Sequence, residues 1–86
     1  MKVRIPSPLL SYTKSKQAEA SGTTLAEMFA DLDRQFPGLR FRVVNEQGEI
    51  REHIKLFINQ DIAKGLGDPV RPEDTVNIIM AISGGT

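Results

Sequence analysis

Apolar positions along the chain follow a period of two at both ends and a period near 3.6 in between. In "MKVRIP" Val3 and Ile5 alternate with Lys2 and Arg4, which predicts a strand with one wet face. Pro6 and Pro8 interrupt its ladder, because neither offers an N–H. The polar stretch from Tyr12 to Ser21 alternates weakly and reads as an edge strand paired back onto the first. In "SGTTLAEMFADLDRQFPG" the period changes: Leu25, Met28, Phe29, Leu32 and Phe36 fall on one helical stripe. Thr24 and Glu27 form a capping box, in which the hydroxyl accepts from the N–H of Glu27 and the carboxylate accepts from that of Thr24. Pro37 and Gly38 stop this helix.

"LRFRVVNEQGEIREH" reads as short or irregular segments around a turn from Asn45 to Gly48. Alternation returns in "HIKLFINQ", with Ile54, Leu56 and Ile58 on one face and His53, Lys55, Phe57 and Asn59 on the other. Asn59 to Asp61 turns the chain, and a connection containing Gly65, Gly67, Pro69 and Pro72 leads to "EDTVNIIMAI". In that last strand Val76, Ile78, Met80 and Ile82 face inward. Each late strand therefore leaves one apolar side chain on the opposite face, Phe57 in one and Ile79 in the other.

Strand, strand, helix, strand, strand is an α+β order in which a single amphipathic helix covers one face of one mixed sheet. If the first and last strands lie side by side, they are parallel and need a crossover through the helix. That arrangement is the ubiquitin-like β-grasp, with four or five strands. A lone helix covers only one face, so Phe57 and Ile79 form a small apolar patch on the other, which reads as a partner-docking surface.

Composition narrows the chemistry. An 86-residue chain is one domain, burying about 60% of its chain surface. Eleven basic and eleven acidic residues cancel, so no global field draws in nucleic acid or an anionic membrane, although residues 1–16 hold Lys2, Arg4, Lys14 and Lys16 with no acid. The absence of cysteine excludes disulfides, thiolate metal sites and cysteine nucleophiles. There is no apolar leader or membrane-length run, and the expected location is cytoplasmic. His53, the one histidine, has no companion ligands for a metal. Asp61, Asp68, Glu73 and Asp74 read as turn carboxylates, "GLGDP" lacks the context of a phosphate loop, and Ser83 has no nucleophile-elbow pattern. No catalytic residue is expected.

The chain ends "IIMAISGGT". "RIPSPLL", "TTLAEMFADLDRQFPGL", "HIKLFINQDI" and "RPEDTVNIIMAISGG", in that order and spacing, resemble the ubiquitin-like sulfur-carrier proteins of the ThiS, MoaD and CysO type over nearly the whole chain. "IPSPLL" and "IMAISGG" are most similar to the CysO-like branch, linked to cysteine synthesis. The resemblance implies a grasp domain over residues 1–83, with residues 84–86 as a flexible diglycine tail. It further implies that a ubiquitin-activating-type enzyme uses ATP to adenylate the C-terminal glycine carboxylate, here Gly85, which a sulfur donor converts to a thiocarboxylate. A sulfur-accepting synthase then receives the sulfur, and the carrier itself binds no cofactor. Ser83, Gly84 and Gly85 form the reactive tether. Thr86 departs from the family's ending, which leaves two readings: some relatives carry such extra residues until a metal-dependent peptidase trims them, or Thr86 is harmless to activation. The alternative is a ubiquitin-like modifier, or a module that works by contact alone.

Overall fold

The computed structural model describes residues 1–81, so the inward placement expected of Ile82, and all that is expected of Ser83, Gly84, Gly85 and Thr86, lies outside the described residues. In chain order the elements are β1 (Lys2–Arg4), a 3-10 turn (Ser7–Leu9) running into α1 (Leu10–Thr13), β2 (Gln17–Glu19), α2 (Leu25–Gln35), α3 (Leu39–Val43), β3 (Ile54–Ile58), β4 (Asp61–Ile62) and β5 (Thr75–Met80). The sheet order is β2-β1-β5-β3-β4. β1 and β5 run parallel with Val3 opposite Val76, and the other neighbours are antiparallel. This is the β-grasp topology, with the first and last strands adjacent in the sheet and the helices between them in sequence.

Register explains how the inward alternation builds one core. Val3 lies opposite both Ala18 and Val76, while Leu56 lies opposite Ile78 and Ile58 opposite Val76. Directly opposed residues share a face. Leu25, Met28, Phe29 and Leu32 of α2 are fully buried in the same core cluster. Phe36, the last member of the predicted stripe, packs against that core as the partly buried C-cap of α2. Met80, read as inward, is only partly buried at the far end of β5.

Two segments differ from the sequence reading. Tyr12 to Ser21 is not one edge strand: only Gln17–Glu19 pairs with β1, Tyr12 and Thr13 are helical, and residues 14–16 bend between the two. Pro8 lies in the first turn of that helical stretch, where its fixed φ favours a helix and its missing N–H costs nothing. Leu9 and Thr13, four residues apart, are then buried on one side. Lys14, at φ +60°, ends the helix in the left-handed region. The segment after Gly38 also differs, for it forms α3, with Leu39 and Val43 buried one turn apart. Gly38, expected only as a stop after α2, is the N-cap of α3: at φ +94° it takes a conformation open mainly to glycine, and its N–H is held by Asp33 Oδ1 at 3.1 Å. The expected turn at Asn45–Gly48 is present, with Asn45 Oδ1 accepting from the N–H groups of Gln47 and Glu49.

The cap of α2 forms with one change. Thr24 Oγ1 accepts from Glu27 N at 3.2 Å, but the Glu27 carboxylate returns to Thr23, not Thr24. Thr23 offers its backbone N–H at 2.8 Å and its hydroxyl at 2.9 Å to the same oxygen, and this pair of donors outcompetes a single N–H. These bonds hold the Glu27 carboxyl below its ordinary pKa. Asp31 is lowered chiefly by the Arg34 guanidinium and then by Ser21 N–H, and Asp74 by the Asn59 amide and then by Arg71 N–H.

A group with a depressed folded pKa contributes stability that is complete above its unfolded value and is lost as pH falls through the folded one. Melting temperature is therefore expected to stay level from neutrality and to fall below about pH 5. Glu27→Gln should make that acid limb shallower in thermal melts across pH. An unchanged limb would show that the Thr23 bonds contribute nothing.

Candidate functional site

The face of the sheet opposite the helices follows directly from the register. Lys55 lies opposite Ile79, Phe57 opposite both Asn77 and Ile62, and Arg4 opposite both Asn77 and Gln17. Directly opposed side chains project to the same side. Phe57, Ile79 and Ile62 thus share the open face with Arg4, Lys55 and Asn77, while Leu56, Ile78 and Val76 project to the core.

The two residues singled out from sequence, Phe57 and Ile79, are brought together as diagonal neighbours on adjacent strands. They are not equally exposed. Ile79 is 48% exposed, whereas Phe57 is half-buried, because β4 folds back beside it. The same hairpin adds a residue that sequence reasoning missed: Ile62, 55% exposed and directly opposite Phe57. The signal was available in "FINQDI", where a turn at Asn59 and Gln60 sets Ile62 against Phe57, but a two-residue strand carries no periodicity of its own.

Beside Ile79 the open face deepens into a groove of about 500 Å³. It is lined by Arg4, Ile5, Pro6 and Pro8 on one side and by residues 77–80 of β5 on the other. Its cause is the end of the β1 pairing: Arg4 opposite Asn77 is the last matched pair, and β5 runs three residues further. Pro6 turns the chain into the 3-10 turn at Ser7–Leu9, so β1 leaves β5 there. The patch is apolar in the middle and flanked by Arg4 and Lys55, with Lys2 further along β1 directly opposite the exposed acid Glu19.

β5 carries this surface to the last described residue. Its far end is held from the β3 side, where Ala81 N donates to the carbonyl of His53 at 2.8 Å. At the other end, Asn59 ties the β3–β4 turn to β5. Its φ of +58° is one that asparagine tolerates; its amide oxygen accepts from Thr75 N at 3.0 Å, and its Nδ2 donates to Asp74 at 3.0 Å. At Ala81, the last described residue, the chain is thus held from the β3 side, while its β1 side borders the groove. Ser83, Gly84, Gly85 and Thr86, the expected tether and its cap, lie outside the described residues.

The turn carboxylates behave as ordinary local acceptors. Asp68 Oδ2 accepts from Lys64 N at 2.8 Å and Asp74 Oδ2 from Arg71 N at 3.0 Å. Asp61, read as part of a turn, opens β4 instead. Among the described residues no group of three or more His, Asp or Glu side chains is placed to hold a metal ion, and no helix is long and apolar enough to cross a membrane. The described residues present an apolar patch on the open sheet face, a groove beside it, and a last strand hydrogen-bonded to β3 as far as Ala81.

Known proteins share both fold and sequence with this chain. Sulfur carrier protein CysO of Mycobacterium tuberculosis is 28% identical over 89 residues, covering 96% of each chain. A chain of the crystal structure of the Amycolatopsis orientalis BexX/CysO complex superposes with a TM-score of 0.90 at 31% identity, covering 98% of both chains. SAMP1 from Haloferax volcanii superposes at 0.79 with 25% identity over 99% of this chain and 98% of its own. The strands, helix stripe and terminal glycines that resemble the sulfur carriers all fall within a match to the ThiS family over residues 3–85, which leaves Thr86 outside it, and the chain belongs to the ThiS family.

Proposed function

We propose that the protein is a sulfur carrier whose C-terminal glycine carboxylate is the reactive group, a co-substrate and not a catalyst. The observation that carries this reading is the family match running to Gly85, five residues in sequence after the end of β5, the strand between β1 and β3 in the sheet. A carboxylate is a poor electrophile, so it first attacks the α-phosphate of ATP on a ubiquitin-activating-type enzyme. Pyrophosphate leaves and an acyl adenylate remains. Sulfide or an equivalent donor then attacks the acyl carbon, AMP departs with its oxygen, and the product is a thiocarboxylate whose sulfur is nucleophilic. A synthase consumes that sulfur, and similarity to CysO supports a cysteine-forming acceptor.

Thr86 fits this scheme as a residue to be removed. Hydrolysis of the Gly85–Thr86 bond by a metal-dependent peptidase exposes the glycine carboxylate; until then the terminal carboxylate belongs to a β-branched residue with a restricted χ1. The test is mass spectrometry of the full chain and of a chain ending at Gly85, each incubated with an activating enzyme, ATP and sulfide. The chain ending at Gly85 should exchange one oxygen for sulfur, and the full chain should not until threonine is lost. Equal thiocarboxylation of both would sink the trimming step, and reaction of neither would sink the carrier.

Similarity to SAMP1 favours a second reading, conjugation of the glycine carboxylate to lysine amines. Lysine adducts without thiocarboxylate in the same incubation would select it.

The open face is the proposed docking surface for the activating enzyme. Ile79→Ala should weaken that complex by about 2 kcal/mol, roughly thirtyfold in Kd, with no change in melting temperature. Phe57→Ala should weaken it too but also lower the melting temperature, since Phe57 is half-buried. Calorimetric titration and thermal melts check both. Unaltered affinity in the Ile79 variant would remove this face from the interface.

A further inference from the structure

The turn of α3 that buries Leu39 and Val43 leaves Phe41 pointing outward, 55% exposed. Arg51 covers it: the guanidinium carbon lies 4.6 Å from the ring centroid, and Nε donates to the Phe41 carbonyl at 2.8 Å. With Arg42 and His53 these side chains line a shallow recess of about 270 Å³ on the surface. The recess sits at the root of the tail, because His53 supplies the carbonyl that holds Ala81 N. Among the described residues neither Arg42 nor Arg51 has a carboxylate within 4 Å, although Glu46, Glu49 and Glu52 are close in sequence.

We propose that this cluster is a second contact point, separate from the open sheet face, at which an acidic segment of a partner protein docks beside the tail. Two features select that occupant. A guanidinium held by stacking and by its Nε bond has lost its rotational freedom before binding, and its remaining N–H groups present the fork that suits a carboxylate. Phe41 beside it supplies an apolar contact that a solvated counter-ion would not use. The nearby Glu46, Glu49 and Glu52 oppose a continuous polyanion such as a nucleic-acid backbone, while a segment with spaced aspartates or glutamates can avoid them. The contact lies beside Ala81, the last described residue, and it rests on the carrier reading only for which partner is meant.

The probe is a capped oligoglutamate peptide titrated into the isotopically labelled full chain, followed by amide shifts. Shifts should concentrate at Phe41, Arg42, Arg51, His53 and Ala81 and weaken with added salt. Arg42→Glu should lower the affinity by about tenfold with no change in melting temperature, and Arg51→Lys, which keeps the charge but loses the stack and the Nε bond, should fall between. Shifts spread evenly over Lys2, Arg4, Lys14 and Lys16 would overturn the proposal, as would tighter binding of an oligothymidylate at the cluster or unaltered affinity in the Arg42 variant. A second arm measures adenylation with an activating enzyme at low salt, where Arg42→Glu should reduce kcat/KM and leave kcat unchanged; equal kcat/KM overturns the role in docking. Both proteins compared in this arm are chains ending at Gly85; if that chain without substitution is not adenylated at all, the carrier reading fails, and the peptide titration still decides whether the cluster binds acidic segments.

Discussion

Gly85→Val is expected to abolish activation of a chain ending at residue 85 while leaving its melting temperature unchanged. In the proposed scheme a carboxylate oxygen of Gly85 attacks the α-phosphate of ATP, and the carbon that bears it later meets the sulfur nucleophile. Glycine has no Cβ, so the last peptide unit can thread a narrow channel and present that carbonyl from any direction. A β-branched side chain stands beside the reacting carbon and restricts the backbone that carries it. Misplacing a reacting group by about 1 Å can cost on the order of a hundredfold in rate, and the loss here should be at least that large. Stability should not change, because the buried hydrophobic cluster of the described residues runs from Val3 to Ile78. Pyrophosphate exchange and thermal melts on the same sample give both readings. Normal exchange with the valine variant would show that the channel imagined for the tail does not constrain it, and a lowered melting temperature would show that the tail packs on the domain.

The contrast between the tail and the domain also marks what sequence could supply. β1, β3 and β5 were legible because burying one face forces a period of two, and α2 because its stripe and its threonine cap agree. From these the parallel β1–β5 pair and the uncovered face followed by topology alone. α3 was hidden because five residues give barely more than one helical period, and Gly38 was read only as a stop. The helical turns before β2 were hidden for a similar reason: Pro8 breaks a strand and favours the start of a helix, and only the burial of Leu9 and Thr13 decides between them. At the candidate site, Ile79 was visible as the residue out of phase. Ile62 and the groove at Pro6 and Pro8 were not, since both depend on register between distant segments. The Arg51–Phe41 stack joins a helix to a loop ten residues away, and no local pattern announces it. The ending proposed to react stands in the opposite relation, for Gly84, Gly85 and Thr86 lie outside the described residues and are read from sequence and from family resemblance alone.

Gly22→Ala is expected to be the most damaging single-atom addition outside the hydrophobic core. Gly22 links β2 to α2 with φ at +151°, and a Cβ placed there would lie 2.8 Å from both Glu27 Cβ and Met28 N and 3.0 Å from the Glu27 carbonyl carbon. Two of these atoms are backbone of the first helical turn and cannot swing aside. Relief requires the chain at residues 21–23 to move off the helix. That movement pulls on Thr23, whose N–H and hydroxyl hold Glu27 and whose carbonyl accepts from Val70 N at 3.0 Å. It also threatens the bond from Ser21 N to Asp31 at 3.0 Å. Backbone strain and overpacking together should cost about 2–4 kcal/mol, which for a domain of this size lowers the melting temperature by more than about 10 °C. Gly48→Ala is the internal control for strain alone: φ there is +80° but nothing lies within 4 Å of the added Cβ, so the cost should be about 1–2 kcal/mol. Gly65→Ala, with open space and no positive φ, should be close to neutral. Thermal melts of the three variants should therefore rank Gly65, Gly48 and Gly22 in order of increasing loss. If Gly22→Ala melts with the Gly65 variant, the close approach of the β2–α2 link to the first turn of α2 is not a feature of the folded protein.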